Sequence, residues 1–404
     1  MAVHARVETL ECCGLNMTEN VQPVQHDAAA EAAANHGKRS GYIPTLDGWR
    51  AVAILWVLMG HDQAWRMGWF SNYWLRENRL RGVQLFFALS GFLICTRLLR
   101  EESRFGAISL RSFYTRRLFR IQPAAMTYLL VVMLLSVAGI IPVYWSGIVG
   151  AALMIRNIWP MQLHTGWWYT AHFWSLAAEE HFYLLLPGFL VLVRRRRLAI
   201  LSALAVALEI WRRVVIATPQ LQRGLEWQVA QRTDVVLGGI LLGSVFAVAL
   251  THGRLLQIAK SFLQPWVAVL YTGLVFFELD RHHSATAQAV IISVYPLLIV
   301  GTSLHPETLV SRLLELAPIR FIGRISYSLY IWQQLFLPGD DPVAPHSFHS
   351  HTFLCWGATF ACAIASYYLI ETPLVRRGHR IARRFDLQEL EEHRNVAVGV
   401  TAEA

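Results

Sequence analysis

The stretch LDGWRAVAILWVLMGHD, residues 46–62, sets Arg50 and His61 inside an otherwise apolar run. Between them lie only Ala, Val, Ile, Leu, Trp, Met and Gly. A helix through this stretch climbs about 16 Å from Arg50 to His61 and makes almost three turns. The two ionisable groups then share nearly one face at different depths. Such groups are costly in hydrocarbon and, where retained, face a bundle interior or a polar cavity. The spacing reads as a reaction site or as a structural pairing, and the rest of the chain has to decide between them.

The surroundings are those of a membrane protein. The 404 residues are 55% hydrophobic and only 16% charged, with a mean hydropathy of +0.38. Soluble globular chains carry about 25% charged residues. Fifteen tryptophans suit a protein with two lipid–water interfaces to anchor. The expected class is an all-α polytopic integral membrane protein. The net charge of +9 needs no nucleic acid partner, because the arginine runs fall at the ends of apolar segments, as the positive-inside rule requires. Five cysteines form no spaced framework, which argues against both a zinc site and a disulfide scaffold.

Apolar segments long enough to cross about 30 Å of hydrocarbon lie near 46–66, 82–99, 121–141, 172–193, 198–217, 233–251, 262–279, 286–304, 321–338 and 351–371, ten in all. A shorter run, 144–158, is expected to be a re-entrant or outer-surface element. If it crossed, the run Arg194–Arg197 would face outward. With it left out, the arginine-rich loop 100–120, the run 194–197 and the tail 375–384 all fall inside. Residues 1–40, containing DAAAEAAANHGK, lack the apolar core of a signal peptide. They are expected to form a disordered cytoplasmic tail, followed by a membrane domain over 41–378 and a second cytoplasmic tail over 379–404. The arginines of the outer loop 66–81 run against this trend.

Three further stretches carry ionisable groups where lipid-facing helices would not. FYTRRLFRIQP (113–123) places Arg117 and Arg120 on one helical face, suited to anchoring or to holding phosphates by charge-assisted bonds. HFWSLAAEEHFYLLLP (172–187) sets Glu179 and Glu180 inside an apolar span, so at least one should be buried and paired. QRTDVVLGG (231–239) contains Arg232 and Asp234, a candidate ion pair holding two helices together.

In this order LDGWR with His61 beyond it, FFALSGFLI (86–94), RRLFRI, FWSL-x-x-E-x-x-FY, ISYSLYIW (325–332) and IETPLVRR (370–377) resemble the acyltransferase-3 family of membrane acyltransferases over roughly residues 41–378. The resemblance implies transfer of an acyl group, commonly acetyl, from acyl-CoA to a hydroxyl of a cell-surface carbohydrate or lipid-linked glycan at the plasma membrane. Carried across, the family's Arg-x10-His pair falls on Arg50 and His61, its Arg-x-x-Arg on Arg117 and Arg120, and its WSL glutamate on Glu179. One departure is visible: Gln333 follows Trp332 where many relatives have His. No hydrolase-like domain is expected to be attached.

A thioester is already activated, so the remaining tasks are to deprotonate a hydroxyl and to stabilise an oxyanion. His61 is the candidate general base, with a covalent acyl-histidine as the variant. Arg50 is expected to bind a phosphate, orient the thioester or neutralise the oxyanion, held by Asp47. Glu179 is expected to orient the imidazole, as carboxylates do in hydrolytic triads. Ser326 and Tyr330 are candidate hydroxyl donors, and Trp167, Trp168 and Tyr169 candidate platforms for sugar rings. The clusters DDPVAPHSFHSH (340–351) and DRHH (280–283) are read as solvated loops, with no metal. The rival class is a proton-coupled transporter or exporter of a small polar metabolite, which would be expected to show repeat symmetry between halves; none is visible.

Overall fold

The opening stretch folds into a single helix, α1 (Pro44–His61), with Asp47 in its first turn. Proline at the first helical position and an acid beside the positive helix end both favour a start there. The structure is a computed structural model and describes residues 42–62, 73–158, 166–222, 229–267, 269–270, 272–273, 285–337 and 352–402. Every regular element among them is helical.

Two long helices follow, α2 (Tyr73–Phe105) and α3 (Leu110–Val137), then short α4 (Trp145–Ala152) and α5 (Trp168–Ala171). Next come α6 (Phe173–Leu192), α7 (Arg197–Ala217), α8 (Thr233–Ala249), α9 (Gly253–Phe262) and α10 (Ala285–Leu304). The chain closes through α11 (Leu309–Leu314), α12 (Ala317–Arg324), α13 (Ser326–Phe336), α14 (Thr352–Ser366), a π-helical turn (Tyr367–Glu371) and α15 (Thr372–Ala402). Among the described residues four helical stretches are individually long and apolar enough to cross a bilayer: Leu80–Phe105, Leu110–Val137, Trp168–Leu192 and Thr352–Gln388. The pair α8–α9 makes a fifth if its 109° bend is one broken span.

Helix α2 is central, packing on α1 along one side and on α8 along another. The second contact explains the glycine of FFALSGFLI. A Cβ on Gly91 would sit 1.9 Å from the Ile240 carbonyl oxygen, and one on Gly243 would sit 2.2 Å from that of Ala88. The two backbones cross where neither helix has a side chain, and Ser244 donates to the Gly91 carbonyl at 3.2 Å. Small residues allow this approach between apolar helices, where packing rather than water exclusion drives association.

Several boundaries differ from expectation. The span expected at 321–338 is broken at Ile325 into α12 and α13. A Cβ on Gly323 would lie 1.8 Å from the Asp47 carbonyl oxygen, so α12 packs its backbone directly against the start of α1 just before the break. Part of the loop expected at 66–81 is helical, since α2 begins at Tyr73. The run 144–158 contains only the eight-residue α4, too short to cross. Arg197 is more than a topology signal: its Nη2 donates to Glu102 Oε1 at 2.8 Å, tying α7 to α2. The tail 1–40, the loops 280–283 and 340–351, and part of 262–279 lie outside the described residues.

Candidate active site

Arg50, Arg117, Arg120, Glu179, Ser326 and Tyr330 all line one cavity with an empty volume of about 740 Å³, part of it open to the surroundings. Helix periodicity explains the convergence. Arg117 and Arg120 are one turn apart on α3, Ser175 and Glu179 one turn apart on α6, and Ser326 and Tyr330 one turn apart on α13. Asp47 Oδ1 lies 3.9 Å from Arg50 Nη1, a loose contact one turn back.

The two arginines of α3 are held differently. The Arg117 guanidinium lies over the Tyr183 ring, 3.7 Å from its centroid. Its buried Nε has no hydrogen-bond partner. Arg120 Nη1 instead donates to Glu371 Oε2 at 3.2 Å. Glu371 is almost fully buried, is delivered by the π-helical turn, and also accepts from the Ser328 hydroxyl. A π turn carries one more residue per hydrogen-bonded ring than an α turn, which re-aims the side chains at that point; such turns recur at functional sites. Glu179 accepts from Ser90 Oγ at 3.0 Å and from Tyr183 Oη at 2.7 Å. Glu180 also lines the cavity, with a buried Oε1 that has no hydrogen-bond partner.

His61 is not among the residues lining this cavity. It sits at the other end of α1, buried, with the edge of Trp168 against its ring at 5.2 Å between centroids. Its Nδ1 lies 2.8 Å from Gln333 Oε1. The carboxylate expected to orient the imidazole is thus occupied elsewhere, with Ser90 and Tyr183, and the amide of Gln333 stands at the ring. The physical reason is depth: Glu179 lies level with the arginines, and α13 reaches His61 one turn beyond Tyr330. Trp168 and Tyr169 are buried rather than offered as platforms, Tyr169 accepting Tyr128 Oη at its carbonyl at 2.8 Å.

A second histidine, which the sequence alone does not single out, completes this end. His172 is buried, and its backbone N–H donates to Gln334 Oε1 at 3.1 Å. The same oxygen lies 2.6 Å from His172 Nδ1. Because a backbone N–H can only donate, the amide oxygen must face it, and Nδ1 must then carry the ring proton. His172 Nε2 is left as a bare acceptor, buried and without a partner. Tyr330 joins the two ends: its hydroxyl donates to the His172 carbonyl at 3.1 Å and pairs with Ser175, which lines the cavity.

Arg232 and Asp234 lie outside both groups. They pair with each other at the start of α8, Nη2 to Oδ2 at 2.7 Å, so the ion pair closes within one element. The tie between helices comes instead from the Trp211 indole of α7, which donates to Asp234 at 2.7 Å. Sequence inspection had the stretches that contain His172 and Glu371 in hand. It lacked any sign that these side chains turn inward, because each is paired with a partner far away in sequence.

Comparison with known proteins bears on this arrangement. A family profile described as an acyltransferase domain matches residues 43–370. A Staphylococcus aureus (strain COL) protein bearing a provisional O-acetyltransferase name is 29% identical, the match covering 84% of this chain and 58% of that one. A Listeria monocytogenes (serovar 1/2a, strain EGD-e) protein named peptidoglycan O-acetyltransferase is 25% identical over 83% of this chain and 56% of its own. A Bacillus subtilis (strain 168) protein provisionally named for the same activity is 28% identical over 88% and 59%. The chain thus spans a little under three fifths of the length of these relatives. No solved structure matches it. With the profile covering most of its length, the chain belongs to the acyltransferase-3 family.

Proposed function

We propose that this protein moves an acyl group, acetyl in the first instance, from acyl-CoA to a hydroxyl of a cell-envelope carbohydrate or lipid-linked glycan. The observation that carries the reading is the pairing of two unlike sites along α1: a cavity lined by three arginines, and, about 16 Å further along the helix, a buried histidine. Arginine clusters suit phosphates through multidentate charge-assisted bonds. A buried neutral histidine suits proton removal from a hydroxyl. Relatives named as O-acetyltransferases, two of them for peptidoglycan, support this acceptor class.

In this mechanism Arg117, with Arg50 and Arg120, holds the phosphates of the donor, and its pantetheine arm extends along α13 toward His61. His61 takes the hydroxyl proton of the acceptor as the oxygen attacks the thioester carbonyl. The tetrahedral intermediate collapses with loss of the CoA thiolate, and the His61 imidazolium returns the proton to that sulfur. Gln333 keeps the ring oriented throughout, and Glu179 holds Tyr183 beneath Arg117. No metal takes part.

The topology that suits this reaction has ten crossings, both termini in the cytoplasm and catalysis confined to residues 41–378 in the plasma membrane. The arginine cavity then opens to the cytoplasm, where acyl-CoA is made, and His61 lies past the midplane. Sealed, oriented vesicles with acyl-CoA inside and acceptor outside test it. Acylation is expected with that arrangement. Acylation only when both substrates share the inner side would sink the through-membrane route.

A further inference from the structure

Among the described residues, Arg156 is a buried cation without a counter-ion. Its side chain is 2% exposed. Its hydrogen bond runs from Nε to the Thr170 hydroxyl at 3.2 Å, and its Nη1 is buried with no partner. No carboxylate pairs with it among the described residues. Leaving a buried charge uncompensated is strongly destabilising, so a side chain kept in this state calls for an explanation beyond packing.

The backbone is bent to deliver it. At the end of α4, Ile155 N–H donates to the Gly150 carbonyl at 2.9 Å and Met154 N–H to that of Ala151 at 3.1 Å. This is the paired bond pattern of a helix end whose turning residue is usually glycine. Here Met154 occupies it at φ 55°, a conformation that costs a side-chain-bearing residue about 1–2 kcal/mol. Two residues on, Arg156 is turned inward. Space is kept open beside it as well: a Cβ on Gly147 would lie 2.8 Å from Thr170 Oγ1 and 3.7 Å from Arg156 Nη2.

Thr170 fixes where this charge stands. It lies two residues from Trp168, whose ring meets His61, and two from His172. Two buried polar atoms without partners, Arg156 Nη1 and His172 Nε2, therefore belong to the histidine end of the protein.

We propose that Arg156 is an anion-binding residue of this end and takes a carboxylate of the acceptor, while the His172 Nε2 accepts a hydroxyl hydrogen of the same molecule. That the carboxylate belongs to the acceptor rests on the acyl-transfer reading; the anion site does not.

The test is thermal unfolding of the purified protein in detergent with glucuronate, against glucose as the neutral control. Glucuronate well above its dissociation constant is expected to raise the unfolding temperature by about 2 °C or more, and glucose to leave it unchanged. The shift should persist in His61→Ala and in Arg117→Ala and vanish in Arg156→Met, which is expected to melt no lower than the wild type. Should Arg156→Met not fold, Arg156→Lys, which keeps the charge but loses the fork, is expected to weaken the shift. The proposal is overturned if the wild type gains nothing from glucuronate. It is equally overturned if the shift survives in Arg156→Met, is unchanged in Arg156→Lys, or disappears in Arg117→Ala, which would place the anion in the arginine cavity. If His61→Ala keeps transferring acyl groups while the shift stands, the mechanism above fails and the anion site survives.

Discussion

The arginine cavity and the histidine end share two helices, α1 and α13, and follow opposite electrostatic plans. In the cavity, charge is set against charge: Arg120 against Glu371, Arg50 beside Asp47, Arg117 over Tyr183, which bonds to Glu179. At the other end, imidazoles meet neutral amides and aromatic edges: His61 with Gln333 and Trp168, His172 with Gln334 and Tyr128. Anions that arrive with their own charge need preset cations, and those cations need interim partners. A group that must take and return a proton is better served by a partner that orients the ring without adding a formal charge. On the proposed reading, this difference in partners would separate a binding end from a proton-handling end in a protein whose two ends are otherwise built from the same helices.

If that division of labour holds, substitutions at the two ends should fail in different ways. The largest effect is expected for His61→Ala, a loss of acyl transfer of about 100-fold or more with membrane insertion and unfolding temperature close to wild type. More than about a tenth of the activity remaining would remove His61 from the base's role. Next comes Gln333→Leu, which removes the orienting bond and should lower kcat by about 10-fold to 100-fold, the kinetic equivalent of about 1–3 kcal/mol, with donor KM little changed. A rise in KM alone would place Gln333 in donor binding and blur the two ends.

Arg117→Ala should act on the other side of the comparison, raising donor KM about tenfold, equivalent to about 1.4 kcal/mol, while kcat stays within about twofold. A donor lacking the 3′-phosphate tests the assignment: if the substitution weakens both donors equally, that phosphate is not what Arg117 holds. The smallest catalytic effect is expected for Arg120→Ala, whose main result should be lost stability, about 1–3 kcal/mol, since Glu371 is left buried without its cation. Adding Glu371→Gln should recover part of that loss in a denaturation measurement. An Arg120→Ala protein as stable as wild type would mean that the ion pair contributes nothing to the fold.

Some of this was readable in the chain alone. The all-helical class, the helix from Pro44 to His61 and the shared face of Arg117 and Arg120 follow from local rules: hydrophobic length, helical period and the cost of charge in lipid. They need no knowledge of neighbours. The partners did need it. His61 meets Gln333 across 272 positions, Arg120 meets Glu371 across 251, and Trp168 turns in on His61 rather than out to an acceptor. The break at Ile325 falls two residues after Gly323 meets a carbonyl of α1, and Arg156 is buried two residues after the left-handed turn at Met154. A sequence shows which side chains can ionise and which face of a helix carries them. Which neutral or charged group waits opposite is settled where two helices touch, because a contact between distant segments leaves no period in either one.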